Sequence, residues 1–145
     1  MDIGQQFTGI IGKHLIMEAQ TPIDDALDKY DAMYGSAGDY ADPNDYKGNP
    51  EVDADINKAV FHNMSTHIAF QQQEHGNAWL HLNKTGFALH RAAGKMLNWD
   101  KPWLGDPSLE VRVLATEIHT AGTKAVDLAK QYRDLVEKGT PKERG

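Results

Sequence analysis

Apolar residues recur every three or four positions over most of this chain, and this spacing is typical of amphipathic α-helices. The longest series begins after Asp53, which can cap a helix, and continues to Trp99 over about forty residues. Its apolar members include Ile56, Val60, Met64, Ile68, Ala78, Leu82, Leu89, Ala93 and Met96. The pattern predicts either one long helix or two collinear helices broken near Gly76 and Asn77.

Polar residues interrupt this series at its centre. Gln71 and His75 take stripe positions where leucine is expected, inside the polar run 71–75. Either the chain turns here and the run faces solvent, or a buried polar layer fixes the register of a bundle. The turn is the favoured interpretation.

A second regular stripe follows a connection in which two prolines prevent the preceding helix from continuing past Trp99. Asp106 can cap the new helix, with Pro107 at its first position. The apolar residues up to Lys138 are Val111, Leu114, Ile118, Ala121, Ala125, Leu128, Tyr132 and Leu135. Residues 53–138 are therefore predicted to form a long helical hairpin, and residues 139–145 a mobile tail.

The N-terminal part, residues 1–34, is predicted to contain a pair of short helices. The first covers residues 2–18, although its glycines lower the intrinsic helix propensity. The second has clear start signals, because Thr21 can act as N-cap and Pro22 suits the first helical position. It is expected to end near Tyr34.

Residues 35–52 are expected to form an extended acidic loop, because glycines and prolines break regular structure there. Four of the five tyrosines of the chain lie between positions 30 and 46, and aromatic side chains are common anchors of protein interfaces. We interpret the region as a partner-binding arm, with a solvated loop as the alternative. Its candidate contact residues are Tyr30, Tyr34, Tyr40, Asp42, Asp45 and Tyr46.

Charge is distributed unevenly along the chain. The net charge is −6, but residues 21–55 hold ten acids and two bases, a balance of −8, which leaves +2 for the rest. A local negative field attracts a basic partner and disfavours a membrane or nucleic-acid surface. Bases elsewhere alternate with acids, so a nucleic-acid partner is not expected. The N-terminus has no basic region of a secretion signal, and a cytoplasmic location is the default expectation.

Length and composition predict a single domain over residues 1–145. The 145 residues are 40% hydrophobic, which is ordinary for a globular chain with one core. The chain has no cysteine, which excludes disulfides, thiolate metal sites and a cysteine nucleophile.

Seven histidines are the main candidates for site chemistry. His67 and His75 are eight positions apart and would share a face of one helix, and His119 on an antiparallel helix could approach them. Three such side chains could hold a metal ion or a cofactor between helices. The spacings Glu-x-x-His and His-Glu-x-x-His are both absent from the sequence, however.

Catalytic and calcium-binding motifs are also missing. No serine has the context of a nucleophile elbow, no glycine loop carries the lysine of a phosphate site, and the acidic residues do not follow the calcium-loop pattern. We therefore predict an all-α helical bundle or long helical hairpin without a cofactor. The expected function is that of a non-enzymatic structural, assembly or protein-interaction protein, self-associating or bound to a partner, including within a larger particle such as a virion. The alternative is a metal- or cofactor-binding bundle that uses His67, His75 and His119.

Overall fold

The computed structural model describes residues 3–35, 49–97 and 109–138, with side chains from Gln6 onward. These residues form four helices, α1 (Ile3–Met33), α2 (Pro50–Gln71), α3 (His75–Leu97) and α4 (Leu109–Lys138). No strand occurs within the described ranges. The all-α prediction is confirmed for this part of the chain, and the helices pack as a bundle. The predicted tail, residues 139–145, lies outside the described residues.

Helix α1 is one continuous helix, so the predicted pair of short N-terminal helices is wrong. Pro22 lies inside α1 and cannot donate the usual backbone hydrogen bond, which costs about 3 kcal/mol in a helix interior. Apolar residues on both sides of it are nevertheless in the core, since Ala19, Ile23 and Ala26 are at most 2% exposed. Burial of both segments against the same neighbours offsets the cost of the proline.

A tight turn separates α2 from α3 at residues 72–74, which confirms the turn interpretation. The Glu74 amide donates to the Ala69 carbonyl at 2.8 Å, and Gln73 adopts a left-handed φ of 61°. The break precedes Gly76, which lies inside α3. The described parts of residues 53–138 therefore form three helices in place of the predicted long hairpin, because the polar run reverses the chain.

Helix α2 begins at Pro50, three residues before the predicted cap Asp53. The Asn49 side-chain oxygen accepts the Glu51 amide at 2.7 Å and the Val52 amide at 3.4 Å, which satisfies two amides that a helix start leaves unpaired. The last residues of the predicted loop 35–52 thus belong to a capped helix.

The helices pack in the order α1, α4, α3, α2, and α1 meets α2 at only a few points. The α3–α4 seam is close because glycines face each other there. A Cβ placed on Gly86 would lie 2.7 Å from the Gly122 carbonyl oxygen, so only hydrogen fits between the two backbones. Because α1 and α2 touch at only a few points, the seam between them stays open. We call this seam the α1–α2 groove.

Candidate functional site

The α1–α2 groove is bridged by polar side chains. Near the end of α1, the Tyr30 hydroxyl donates to an Asp53 carboxylate oxygen at 2.5 Å. Nearer the middle, the His67 ring forms a short hydrogen bond with the Gln20 side-chain oxygen. Because these long side chains separate two antiparallel helices, a cavity remains towards each end of the groove.

The cavity towards the end of α1 is strongly acidic. It has a volume of about 350 Å³ and is lined by four carboxylates, three from α1 and one from α2. These are Asp24, Asp28, Asp31 and Asp53. Asn63 also lines this cavity, and its side-chain oxygen is buried without a hydrogen-bond partner among the described residues. We call this space the acidic cavity.

The cavity towards the start of α1 has a different character. It has a volume of about 500 Å³ and is lined by neutral residues such as Ile10 and Phe70, together with the base Lys13. The two ends of the groove therefore differ in charge, and negative charge is concentrated at one of them.

One side of α2 exposes large apolar side chains beside this groove. Val60 is 39% exposed, Phe61 60%, Met64 59% and Ile68 51%. Their spacing places them on one helical stripe, which we call the α2 face. Val60 and Met64 also line the acidic cavity, so the apolar face and the cavity form one continuous surface.

The α2 face corrects the apolar stripe read from the sequence. That stripe passes through Val60, Met64 and Ile68, all of which are exposed. The side of α2 that packs into the bundle contains smaller and partly polar residues, namely Val52, Asp55, Ile56, Ala59, Thr66 and Ala69. Apolar residues lie on two sides of this helix, and only its neighbours determine which side is buried.

Two of the predicted partner-contact residues lie in the core. Tyr30 and Tyr34 are 3% and 6% exposed, and their ring centroids are 5.2 Å apart. Burial raises the pKa of the Tyr30 hydroxyl, and its hydrogen bond to Asp53 acts in the same direction. Both rings are largely covered by their neighbours in this structure. The other four, Tyr40, Asp42, Asp45 and Tyr46, lie outside the described residues.

The three histidines of the metal-site alternative have separate partners. His67 bonds to Gln20, the His75 ring nitrogen is 2.5 Å from the Tyr132 hydroxyl, and His119 stacks on His90. The turn at residues 72–74 places His67 and His75 on different helices, which removes the shared face that the sequence predicted. Across the described ranges, no three His, Asp or Glu side chains are arranged to hold a metal ion.

Two histidine pairs between helices were not predicted from the sequence. The Nδ1 atoms of His62 and His81 are 3.1 Å apart between α2 and α3, and the rings of His90 and His119 stack at 4.6 Å between α3 and α4. Burial lowers the pKa of His62, His81 and His90, and the paired ring lowers it further for His62 and His90. The spacing of His81 and His90 could have indicated two separate pairs, because it puts these residues on opposite sides of α3.

The buried acid Asp55 belongs to the α2–α3 packing and not to the groove. It is 3% exposed and lies 2.8 Å from the Lys95 ammonium and 3.4 Å from the Arg91 guanidinium. Both bases come from α3, so the carboxylate has the partners that a buried charge requires.

None of the described helices combines the length and apolar composition that crossing a membrane requires. In comparisons with known proteins, no family model, no curated protein and no solved structure matches this chain.

Proposed function

We propose that this chain is a non-enzymatic helical interaction or assembly protein that contacts another protein through the α2 face. The observation that carries the proposal is the exposure of Val60, Phe61, Met64 and Ile68 along one stripe of a helix. Its non-enzymatic character rests on the absence of recognisable catalytic motifs from the sequence.

Covering this stripe would release substantial free energy. Burial of a large apolar side chain is worth about 1.5–3 kcal/mol, so covering the exposed half of four such side chains contributes on the order of 4 kcal/mol. Ordering and association entropy oppose this gain. An interface centred here therefore needs further contacts, and the adjoining groove offers polar ones.

The distribution of apolar residues over the four helices also supports an external contact. In α3 and α4 apolar and polar residues are clearly segregated to opposite sides, as in helices with one buried face. In α1 and α2 the segregation is weak. Exposed apolar residues such as Ile10 and Met17 on α1 belong to the same pattern.

The acidic segment between α1 and α2 also contributes to partner binding in this proposed function. The chain between Gly35 and Asn49 contains Tyr40, Asp42, Asp45 and Tyr46, and it enters α2 at Asn49. Membership of a larger particle would be one setting for such contacts.

Size-exclusion chromatography with light scattering, over a range of concentrations, tests this function. We expect the wild-type chain to self-associate or to retain a protein partner, and the double variant Phe61→Glu with Met64→Glu to lose that association. Phe87→Glu on α3 is the matched control, because Phe87 is 46% exposed and lies outside the α2 face. Circular dichroism of all three proteins checks that the fold is kept.

The outcome that contradicts the proposal is a wild-type chain that remains monomeric at every concentration, with no retained protein that the double variant loses. Equal loss of association in the Phe87 control would also contradict it, because the effect would then not depend on the α2 face.

A further inference from the structure

The described residues that line the acidic cavity include several acids. Asp24, Asp28 and Asp31 follow one another at helical spacings of four and three, and none of the described lining residues is Lys or Arg. Lys29, the one base between Thr21 and Gly35, is directed away to Glu117 of α4 at 2.7 Å. Among the described residues, the wall of the cavity therefore contains acids and no base.

Hydrogen-bond chemistry at the cavity points in the same direction, because the carboxylates that line it only accept hydrogen bonds. The Tyr30 hydroxyl already donates a hydrogen bond to Asp53. The matching ligand group is therefore rich in N–H donors and positively charged, as are the ammonium of Lys and the guanidinium of Arg.

The arrangement of the carboxylates favours side chains over a metal ion. No three acids or histidines among the described residues converge on one point. The acids instead line one end of the groove at successive positions, which suits cationic side chains carried on one end of a rigid segment.

The length of the groove matches that of a helix. From Ile10 to Asp31 along α1 it extends about 30 Å, the length of a helix of about 20 residues. Two antiparallel helices with an opening between them are a common docking site for a third, amphipathic one. Val60 and Met64 supply apolar contacts beside the acids.

We propose that the α1–α2 groove binds a basic amphipathic helix of a partner protein, with Lys or Arg directed into the acidic cavity and apolar side chains against Val60 and Met64. The inference rests on the proposed function and adds the chemistry of the partner. A second copy of this chain fits less well, because bases and acids alternate along its α4, where Arg133 and Lys138 pair with Asp134.

Fluorescence anisotropy with a labelled peptide tests the inference. The probe is an amphipathic Leu/Lys helix of about 20 residues, compared with a version carrying Glu in place of Lys and with a scrambled version that has no apolar face. The wild-type chain is expected to bind the Leu/Lys helix, with an affinity that falls as salt is added. Neither comparison peptide should bind comparably.

Two charge-matched variants locate the binding. Asp28→Asn with Asp31→Asn removes two acids from the cavity and should weaken binding about tenfold. Asp127→Asn with Glu137→Gln removes the same charge from exposed positions of α4 and should change affinity less than about twofold. Circular dichroism confirms that both variants keep the helical fold.

Equal weakening by the two variants, or equal binding of the scrambled peptide, would overturn the inference, because attraction would then be a matter of net charge alone. The proposed function is judged separately. If Phe61→Glu with Met64→Glu abolishes association while the peptide does not distinguish the charge variants, the α2 face is an interface and the basic-helix partner is wrong.

Discussion

The α3–α4 seam and the α1–α2 groove differ in the size of the side chains between the helices. In the first, Gly86 and Gly122 allow the backbones to approach so closely that a Cβ on Gly122 would lie 2.8 Å from the Gly86 carbonyl oxygen. In the second, long polar side chains such as Tyr30 and His67 reach across to the opposite helix. One seam is filled by backbone and small residues, whereas the other is bridged.

This difference shows how one bundle can combine a stable core with a surface for binding. Close approach leaves no room for water where Gly86 faces Gly122, and dense packing contributes to stability. Bridging by polar groups stabilises less per contact and leaves cavities and apolar side chains at the surface. The stable part of the bundle and the proposed binding surface thus lie in different seams.

The largest effect is expected from Gly86→Ala in the closed seam. The added Cβ would lie 2.7 Å from the Gly122 carbonyl oxygen, a backbone atom that cannot move aside easily, so unfolding free energy should fall by about 2–3 kcal/mol. Gly94→Ala is the control in the same helix, because nothing lies within 4 Å of its Cβ. It should instead stabilise the protein by up to about 1 kcal/mol. Urea denaturation measures both changes, and similar values for the two variants would contradict close packing at Gly86.

A smaller effect is expected from Tyr30→Phe in the open groove. The change removes the hydrogen bond to Asp53 and should lower the unfolding free energy by about 1 kcal/mol. The bond also lowers the pKa of Asp53 against the opposing effect of burial, so that pKa should rise in the variant, as followed by NMR. The same substitution in an Asp53→Ala background is the control, because alanine offers no side-chain acceptor for the hydroxyl. An undiminished loss of stability there would show that the hydroxyl acts through another group.

The smallest effect is expected from pH, and it should arise at the seams of α3. Burial lowers the pKa of His62, His75, His81 and His90 below the usual 6.5. The unfolded chain therefore binds protons at a higher pH than the folded chain, so stability is present above about pH 6.5 and is lost progressively as the pH falls below it. Urea midpoints at about pH 7.5 and about pH 5.5 measure this loss.

The double variant His62→Asn with His81→Asn should show a smaller decrease in the urea midpoint between the two pH values. Asparagine does not titrate, so the folded protein no longer contains this pair of histidines with lowered pKa values. His14→Asn is the control, since His14 is exposed on α1. An equal decrease in the double variant and the wild type would show that acid sensitivity does not come from this α2–α3 contact.

Local signals in the sequence located several features correctly. Helix α4 covers the predicted stripe from Val111 to Leu135, and the polar run around Gln72 forms a turn. Both are decided by neighbours along the chain, through helix propensity and exposure of polar side chains. The continuity of α1 through Pro22 was not predictable, because the local stop signal is outweighed by burial of Ile23 and Ala26 against distant helices.

The candidate site could not be predicted from residue spacing alone, because spacing does not show which side of α2 is buried. A stripe through Val60 and Met64 fits helical periodicity as well as the buried stripe through Ala59 and Thr66 does. The acids Asp28 and Asp53 were recognised as part of an acidic region, but their meeting across one cavity depends on the course of two helices.

The sequence by itself determined that this chain forms helices, that the polar run around Gln72 turns and which region is acidic, because these properties follow from residues close together in the chain. Only the tertiary structure decided which side of α2 is buried, which seam stays open and which histidines meet. Those properties depend on which helix lies opposite. When a helix has apolar residues on two sides, tertiary packing determines which side is buried.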